Sequence, residues 1–137
     1  MKNSATGDAL AIVRTILRGS ESATAEAVLT LASEEKIGDK TYRSIVPLGL
    51  ETVEDAKGLV VAVHMHSKNH DGFGGFPFGF KGLTFESTRS DVQAVLGVPE
   101  SRGQGRLGPW DRFSDSGLLL TFSYSKDATT LVMVTAS

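Results

Sequence analysis

The sequence contains no cysteine, and this absence excludes disulfide bonds, thiol catalysis and cysteine-ligated zinc. It contains no apolar run approaching the roughly 20 residues that a membrane-spanning helix requires. It also lacks an excess of either charge, since 14 basic and 16 acidic side chains give a net charge of −2. Residues 1–70 and 71–137 each mix both signs. Because neither half is basic, we expect no nucleic-acid partner.

The chain of 137 residues is long enough for one domain with a real core. Near its start, Asp8, Arg14 and Arg18 interrupt the apolar residues, so we do not expect this segment to act as a signal peptide. With the absence of cysteine, this composition predicts a cytoplasmic protein that makes no membrane contact.

Apolar residues recur at helical spacing in three segments. The first spans residues 1–19, and the second begins near Ala25 and ends at Gly38. The third has Thr88 three positions before Asp91, an acidic variant of the capping box. Its apolar stripe is followed by glycine and proline, so we expect a third helix of about two turns.

The remaining segments predict strands. The run GLVVAVHMH at 58–66 alternates, which would place Leu59, Val61, Val63 and Met65 on one face and the histidines on the other. Residues 82–85 are a short strand candidate. Further strands are expected from 110–113 onward, at 118–124 and at 130–136.

Two stretches of the sequence echo each other. EAVL at 26–29 recurs as QAVL at 93–96, an offset of 67, and Tyr42 corresponds to Trp110 at an offset of 68. A Gly-Leu step follows each of these aromatic residues at the same distance. The matching order of elements predicts a duplicated unit. The expected fold class is α+β: two related α-β-β-β units, with helices packed on one face of an antiparallel sheet.

The expected domain organisation is one domain over 1–137. Its parts are an N-terminal helix at 1–19, a first repeat unit at 20–70, a Gly/Phe-rich linker at 71–82 and a second repeat unit at 83–137.

The second half resembles a known module of one helix and three strands. The residues that carry the resemblance are TRSDV at 88–92, VLGVP at 95–99, WDRF at 110–113 and the strands at 118–124 and 131–135. The module is shared by outer-membrane-assembly lipoproteins of the SmpA/OmlA (BamE) type and by tandem-repeat β-lactamase-inhibitor proteins. The longer stretch from Pro77 is also similar to uncharacterised bacterial proteins of toxin–immunity loci. The resemblance implies a long concave sheet that grips a partner, although fold alone does not fix function.

Three histidines and an aspartate offer two interpretations. His64 and His66 share a strand face, about 6.5–7 Å apart at Cα, and His70 and Asp71 follow them. Imidazole and carboxylate groups are common zinc ligands, so one alternative is a metal-dependent or small-ligand site. The other is a strand whose opposite face is the core, with the histidines facing solvent or a partner. Because the intervening Ser-Lys-Asn turn enforces no ligand geometry, we favour the second interpretation and expect no metal.

The linker combines glycines with Phe73, Phe76, Phe78 and Phe80. It has no GK[ST] ending and precedes a strand rather than a helix, so neither a phosphate-binding loop nor a dinucleotide fingerprint fits, and we expect no cofactor. Burying one such side chain is worth about 1.5–3 kcal/mol, so some of them should pack on the core. Any that stay exposed would form an interface patch.

Trp110 is the only tryptophan. It could anchor a partner, because tryptophan is enriched at binding hot spots, but at the start of a strand we favour a packing role. We expect Asp111 and Arg112 to pair with each other or with loop backbone.

These patterns, together with the resemblance and the lack of a catalytic motif such as G-x-S-x-G, predict a non-enzymatic protein-binding domain. The specific expectation is an immunity-type inhibitor whose partner is a cognate protein toxin; an assembly or scaffold module is a further alternative. The expected partner contacts are His64, His66, His70, Asp71, Phe73, Phe76, Phe78 and Trp110.

Overall fold

The part of the chain that the structure describes is organised around one antiparallel sheet of eight strands. The structure is a computed structural model, and it describes residues 33–115 and 117–137. The strands are β1 (Ser33–Ile37), β2 (Lys40–Ile45), β3 (Leu50–Glu54), β4 (Val60–His66), β5 (Ser101–Gln104), β6 (Pro109–Asp115), β7 (Leu118–Tyr124) and β8 (Leu131–Ala136).

The strand order across the sheet is β1-β2-β3-β4-β8-β7-β6-β5. The chain therefore builds two four-stranded meanders, in which each strand pairs with the next along the sequence. The meanders meet where β4 pairs with β8, in a register that places Val63 opposite Ala136 and Met65 opposite Val134. The outer strands β1 and β5 are short and polar, which discourages pairing with other sheet edges.

One α-helix, α1 (Arg89–Leu96), lies between the two meanders in sequence. The Thr88 hydroxyl accepts a hydrogen bond from the backbone N–H of Asp91, and the Asp91 carboxylate accepts one from the backbone N–H of Thr88. Gly97 ends the helix with a φ of 87°. The expected helix and its capping box are therefore confirmed.

The hydrophobic core lies on one side of the sheet, which we call the core face. Strand residues on this face include Val63, Met65, Leu120, Phe122 and Val134, which are fully buried. The helix α1 adds Val92, which is also fully buried.

The Gly/Phe-rich segment covers part of the core face. Phe76, Phe78 and Phe80 belong to the same buried cluster as the strand residues. The segment approaches the chain before β3 so closely that a Cβ on Gly49 would lie 2.1 Å from the carbonyl oxygen of Gly74. This irregular segment therefore packs on the core face, as α1 does.

The expected fold class of two related α-β-β-β units with helices packed on one face of the sheet is wrong. Each meander has four strands, and α1, eight residues long, is the single α-helix of the described residues. Ser33–Ile37, expected to end a helix at Gly38, forms β1, because Gly38 adopts a φ of 63° and turns the chain into β2. The helices expected at 1–19 and from Ala25 lie outside the described residues, except for this C-terminal part.

Two strand predictions also need correction. Residues 82–85 form no strand. Instead, the backbones of Phe80 and Leu83 exchange two hydrogen bonds across a tight turn. The pairing of β4 with β3 shifts its register between Val53 and Glu54 of β3, so that Val61 of β4 has no partner. Before this point in β4, the alternation of core-facing and exposed residues is the reverse of the expected one. As a result Val60 packs against the core, whereas Val61 is exposed.

Candidate functional site

An open groove lies on the sheet face opposite the core, which we call the groove face. Its volume is about 340 Å³, and its lining comes from the four adjacent strands β4, β8, β7 and β6. The lining residues are His64, Trp110, Arg112, Thr121, Ser123, Met133 and Thr135. A volume of this size lies at the lower end of the range for sites that hold small ligands.

The register of the sheet brings these distant residues together in two rows. Directly paired residues of antiparallel strands lie on the same face. The first row runs through Arg112, Thr121, Thr135 and His64. The second runs through Trp110, Ser123 and Met133 and continues to His66. The groove is where these two rows lie side by side.

Trp110 and Arg112 form the end of the groove next to β5. Gly103 of β5 lies opposite Trp110, and a Cβ at this glycine would be 2.5 Å from the indole ring, so the ring rests on the glycine backbone. The guanidinium carbon of Arg112 lies 4.9 Å from the ring centroid. The Arg112 Nε donates a hydrogen bond of 3.0 Å to the Thr121 hydroxyl. These contacts hold both side chains in place.

His64 lies at the other end of the groove. Its Nδ1 is 2.7 Å from the Thr135 hydroxyl. Burial lowers the pKa of His64 below its ordinary value of 6.5, and the nearby His66 lowers it further, whereas Glu51 acts in the opposite direction. The imidazole is therefore neutral at pH 7.

His66 is buried at the end of β4 in a cluster beside the groove. Its ring is parallel to that of Phe73, with the centroids 3.9 Å apart. Its Nδ1 lies 2.9 Å from Nδ1 of His70, which requires one nitrogen to donate a proton and the other to accept it. Its Nε2 has no hydrogen-bond partner among the described residues, and Oε1 of Glu51 is 3.8 Å away.

Glu51 connects this cluster to β2. The imidazole of His66 is the main cause that lowers the pKa of Glu51, and the hydrogen bond from the Ser44 hydroxyl contributes, while burial opposes both. Among the residues that the structure describes, no group of three or more His, Asp and Glu side chains is arranged to hold a metal ion.

Asp111 lies between Trp110 and Arg112 in sequence but on the core face, where it is completely buried. It accepts hydrogen bonds from Nε and Nη2 of Arg89, at 3.0 and 2.7 Å, and one each from Gln93 and the Tyr124 hydroxyl. Burial alone would raise the pKa of Asp111, but these donors outweigh it and lower the pKa. Asp111 therefore anchors α1 to the sheet. The expected pairing of Asp111 with Arg112 is therefore wrong, because the two side chains lie on opposite faces of the sheet.

The structure divides the expected contact residues into four groups. His64 and Trp110 line the groove. His66, His70 and Phe73 form the adjacent cluster. Phe76 and Phe78 are buried in the core, so their side chains are not surface contacts. The backbone of Asp71 lies in the 3-10 turn His70–Gly72.

Sequence reasoning missed five members of the site, namely Arg112, Thr121, Ser123, Met133 and Thr135. Each occupies the same strand face as a neighbouring groove residue, so alternation within β6, β7 and β8 was the available signal. Predicting that these residues lie opposite one another would also have required the pairing register of β6, β7 and β8.

Comparisons with protein families, with characterised proteins and with solved structures found no match to this chain. Within the described residues, no helix has the length and apolar character needed to cross a membrane.

Proposed function

We propose that the protein is a non-enzymatic protein-binding domain, an immunity-type inhibitor that neutralises a bacterial toxin by binding it on the groove face. In this proposal the protein acts in the cytoplasm and binds neither nucleic acid nor membrane. The observation that carries it is the pair of Trp110 and Arg112 at the groove, each half-buried and accessible from one side.

Tryptophan and arginine are the residues most enriched at binding hot spots, where they contribute through apolar area and directed hydrogen bonds. Here they lie side by side, and their positions are fixed by Gly103 and Thr121. Because the side chains are already ordered by these contacts, a partner would lose less conformational entropy in binding them than in binding flexible side chains.

The groove is too small to be the whole interface. It spans three strand spacings, about 14 Å, whereas a standard protein interface buries about 800 Å² on each partner. The second groove row leads to His66, whose cluster with His70 and Phe73 borders the groove. We therefore propose that the interface extends from Trp110 across the groove toward His70, the partly exposed member of this cluster, while His66 and Phe73 are buried beneath it.

The test begins with the tagged protein as bait in lysate of its source organism. A retained protein is accepted as the partner only if its expression alone stops growth and co-expression with this protein restores growth. If none of the proteins retained at stoichiometric amount meets this criterion, the proposed function is wrong.

The groove is then tested with Trp110→Ala against the accepted partner by calorimetric titration. Loss of a hot-spot tryptophan costs about 2 kcal/mol or more, which is roughly a 30-fold increase in Kd. The control is Val98→Ala, since Val98 is 87% exposed, lies outside the strands and should leave Kd unchanged. An unchanged Kd for a folded Trp110→Ala variant would place the interface elsewhere.

A further inference from the structure

Three half-buried arginines of the described residues differ in their partners. Arg43 pairs with Glu34 and Glu54, and Arg89 pairs with Asp111. For Arg112, by contrast, the described residues supply the Thr121 hydroxyl and the face of the Trp110 ring but no carboxylate. A partly desolvated charge without a counter-charge is unfavourable, so this guanidinium gains most from an anion that arrives from outside.

The groove provides no such anion itself. Its described lining contains no aspartate or glutamate. The nearer carboxylate of Glu100 accepts a hydrogen bond of 2.8 Å from the hydroxyl of Ser114, two residues along β6, and the ion pairs of the described residues do not join it to Arg112. On the cross-strand row of Arg112 itself, the acidic residue is Glu51, which lies beyond His64 on β3. Four strand spacings separate Glu51 from Arg112, or about 19 Å. At this distance solvent and salt screen most of the attraction between the two charges.

The orientation of Arg112 suits a carboxylate. Its Nε is held by Thr121 and its guanidinium carbon lies over the Trp110 ring, so the two terminal amino groups are left for a ligand. Two parallel N–H groups of a guanidinium match the two oxygens of a carboxylate. Beside them, Trp110 and Met133 offer apolar surface for the methylene groups that carry the carboxylate.

We propose that the groove recognises an acidic side chain, aspartate or glutamate, of the protein partner through Arg112. This inference rests on the proposed function and specifies the chemistry of the partner at the centre of the interface. The occupant is assigned from the positive charge of Arg112 within the groove, which is complementary to a carboxylate. The net charge of the whole chain is slightly negative, but it is the local charge that the occupant meets.

The test uses the intrinsic fluorescence of Trp110, the only tryptophan of the chain. The probe is N-acetylglutamate N-methylamide, and the matched control is N-acetylglutamine N-methylamide, both titrated into the full chain at constant ionic strength. We expect a saturable change with the glutamate compound at millimolar concentration and none with the glutamine compound. Equal responses to both compounds, or no response to either, would overturn the proposal.

Variants identify the group responsible. Arg112→Gln should weaken binding of the glutamate probe at least tenfold, whereas Arg102→Gln should leave it unchanged, because Arg102 is exposed and lies opposite Asp111 on the other face. Arg112→Lys keeps the charge but loses the paired donors, so it should weaken binding less than the glutamine variant does. It also serves as the test if Arg112→Gln fails to fold. Inorganic phosphate binding as tightly as the glutamate probe would show a general anion site and contradict the carboxylate assignment.

The two proposals fail in different ways. If Arg112→Gln neutralises the toxin as well as the wild type does, the carboxylate contact is wrong and the inhibitor function stands. If the glutamate probe binds through Arg112 but no growth-arresting partner exists, the carboxylate site stands and the inhibitor function is wrong.

Discussion

Replacing Asp111 with asparagine tests whether its hydrogen-bond network holds α1 on the sheet. The substitution keeps the size of the side chain but removes its charge and one acceptor oxygen. In the wild type, Oδ2 accepts from Arg89, Gln93 and Tyr124, and Oδ1 accepts from the second nitrogen of Arg89. An asparagine amide can replace only one of these oxygens, so its nitrogen must face at least one donor.

The expected loss of stability follows from this count. A hydrogen bond to a charged group contributes about 1.5–3 kcal/mol net, and one such bond is lost outright while the other three lose their charge assistance. The Arg89 side chain is 26% exposed, so water replaces part of the lost bond. We therefore expect Asp111→Asn to lower the free energy of unfolding by about 3 kcal/mol, at the lower end of the cost of breaking a buried ion pair.

Urea unfolding measures this change through the midpoint and the slope of the transition. With a slope of about 2 kcal/mol per molar urea, the midpoint should fall by roughly 1.5 M. The control is Asp39→Asn, since Asp39 forms an exposed pair with Lys40 at 3.6 Å and should contribute less than about 1 kcal/mol. A loss below about 1 kcal/mol for Asp111→Asn, with an unchanged slope, would refute the stabilising role of the network.

The same pair of proteins gives a pH test with a defined sign. The pKa of Asp111 is lowered in the folded state, so its contribution to stability is present above the unfolded pKa of about 3.9 and is lost as pH falls through the folded pKa. The difference in stability between wild type and Asp111→Asn should thus be constant from pH 5 to 7 and shrink only below about pH 4.

Three further substitutions test other parts of the structure. Gly49→Ala should lower the free energy of unfolding by about 2 kcal/mol or more, because φ is 67° and a Cβ would collide with backbone. The control for the effect of φ alone is Gly38→Ala, since Gly38 has a φ of 63° and open space around it. Equal losses of stability in the two variants would contradict the collision. Gly103→Ala should displace the Trp110 ring, seen as a shift in fluorescence emission that an undisturbed contact would not produce. His64→Gln should make stability less dependent on pH between 7 and 5. Since burial lowers the pKa of His64, the unfolded wild-type chain takes up a proton below pH 6.5 that the folded chain does not, which lowers its stability. Parallel thermal-unfolding midpoints for the two proteins over this pH range would contradict that reasoning.

Local patterns in the sequence predict several elements of this fold. Capping residues and a C-terminal glycine indicate α1, and alternation indicates β4, β7 and β8 close to their observed bounds. These signals work because they depend on neighbours within one turn or one strand. They fail for β1, whose charged sequence SEEKI has neither alternation nor β-branched residues apart from Ile37. Its strand conformation comes from pairing with β2.

The site is harder to predict, because its members meet only through register. Alternation correctly separates the histidines of β4 from Val63 and Met65, and it could have separated Arg112 from Asp111. It cannot show that Asp111 meets Arg89, a partner 22 residues earlier on α1. Nor does composition decide where phenylalanines pack: all four of the linker are buried, three of them in the core and Phe73 against a histidine.

The strand β6 connects the stability of the fold to the proposed binding surface. Trp110 and Arg112 face the groove, while Asp111 between them faces the core and is fixed by α1. The two faces therefore respond differently to substitution. A change at Asp111 removes buried hydrogen bonds and acts on folding, whereas a change at Arg112 removes a half-buried charge without a carboxylate partner in the described chain and acts on recognition. A binding surface built on such a strand is held in position by the core beneath it, which is how one strand can order its ligand-facing side chains before a partner arrives.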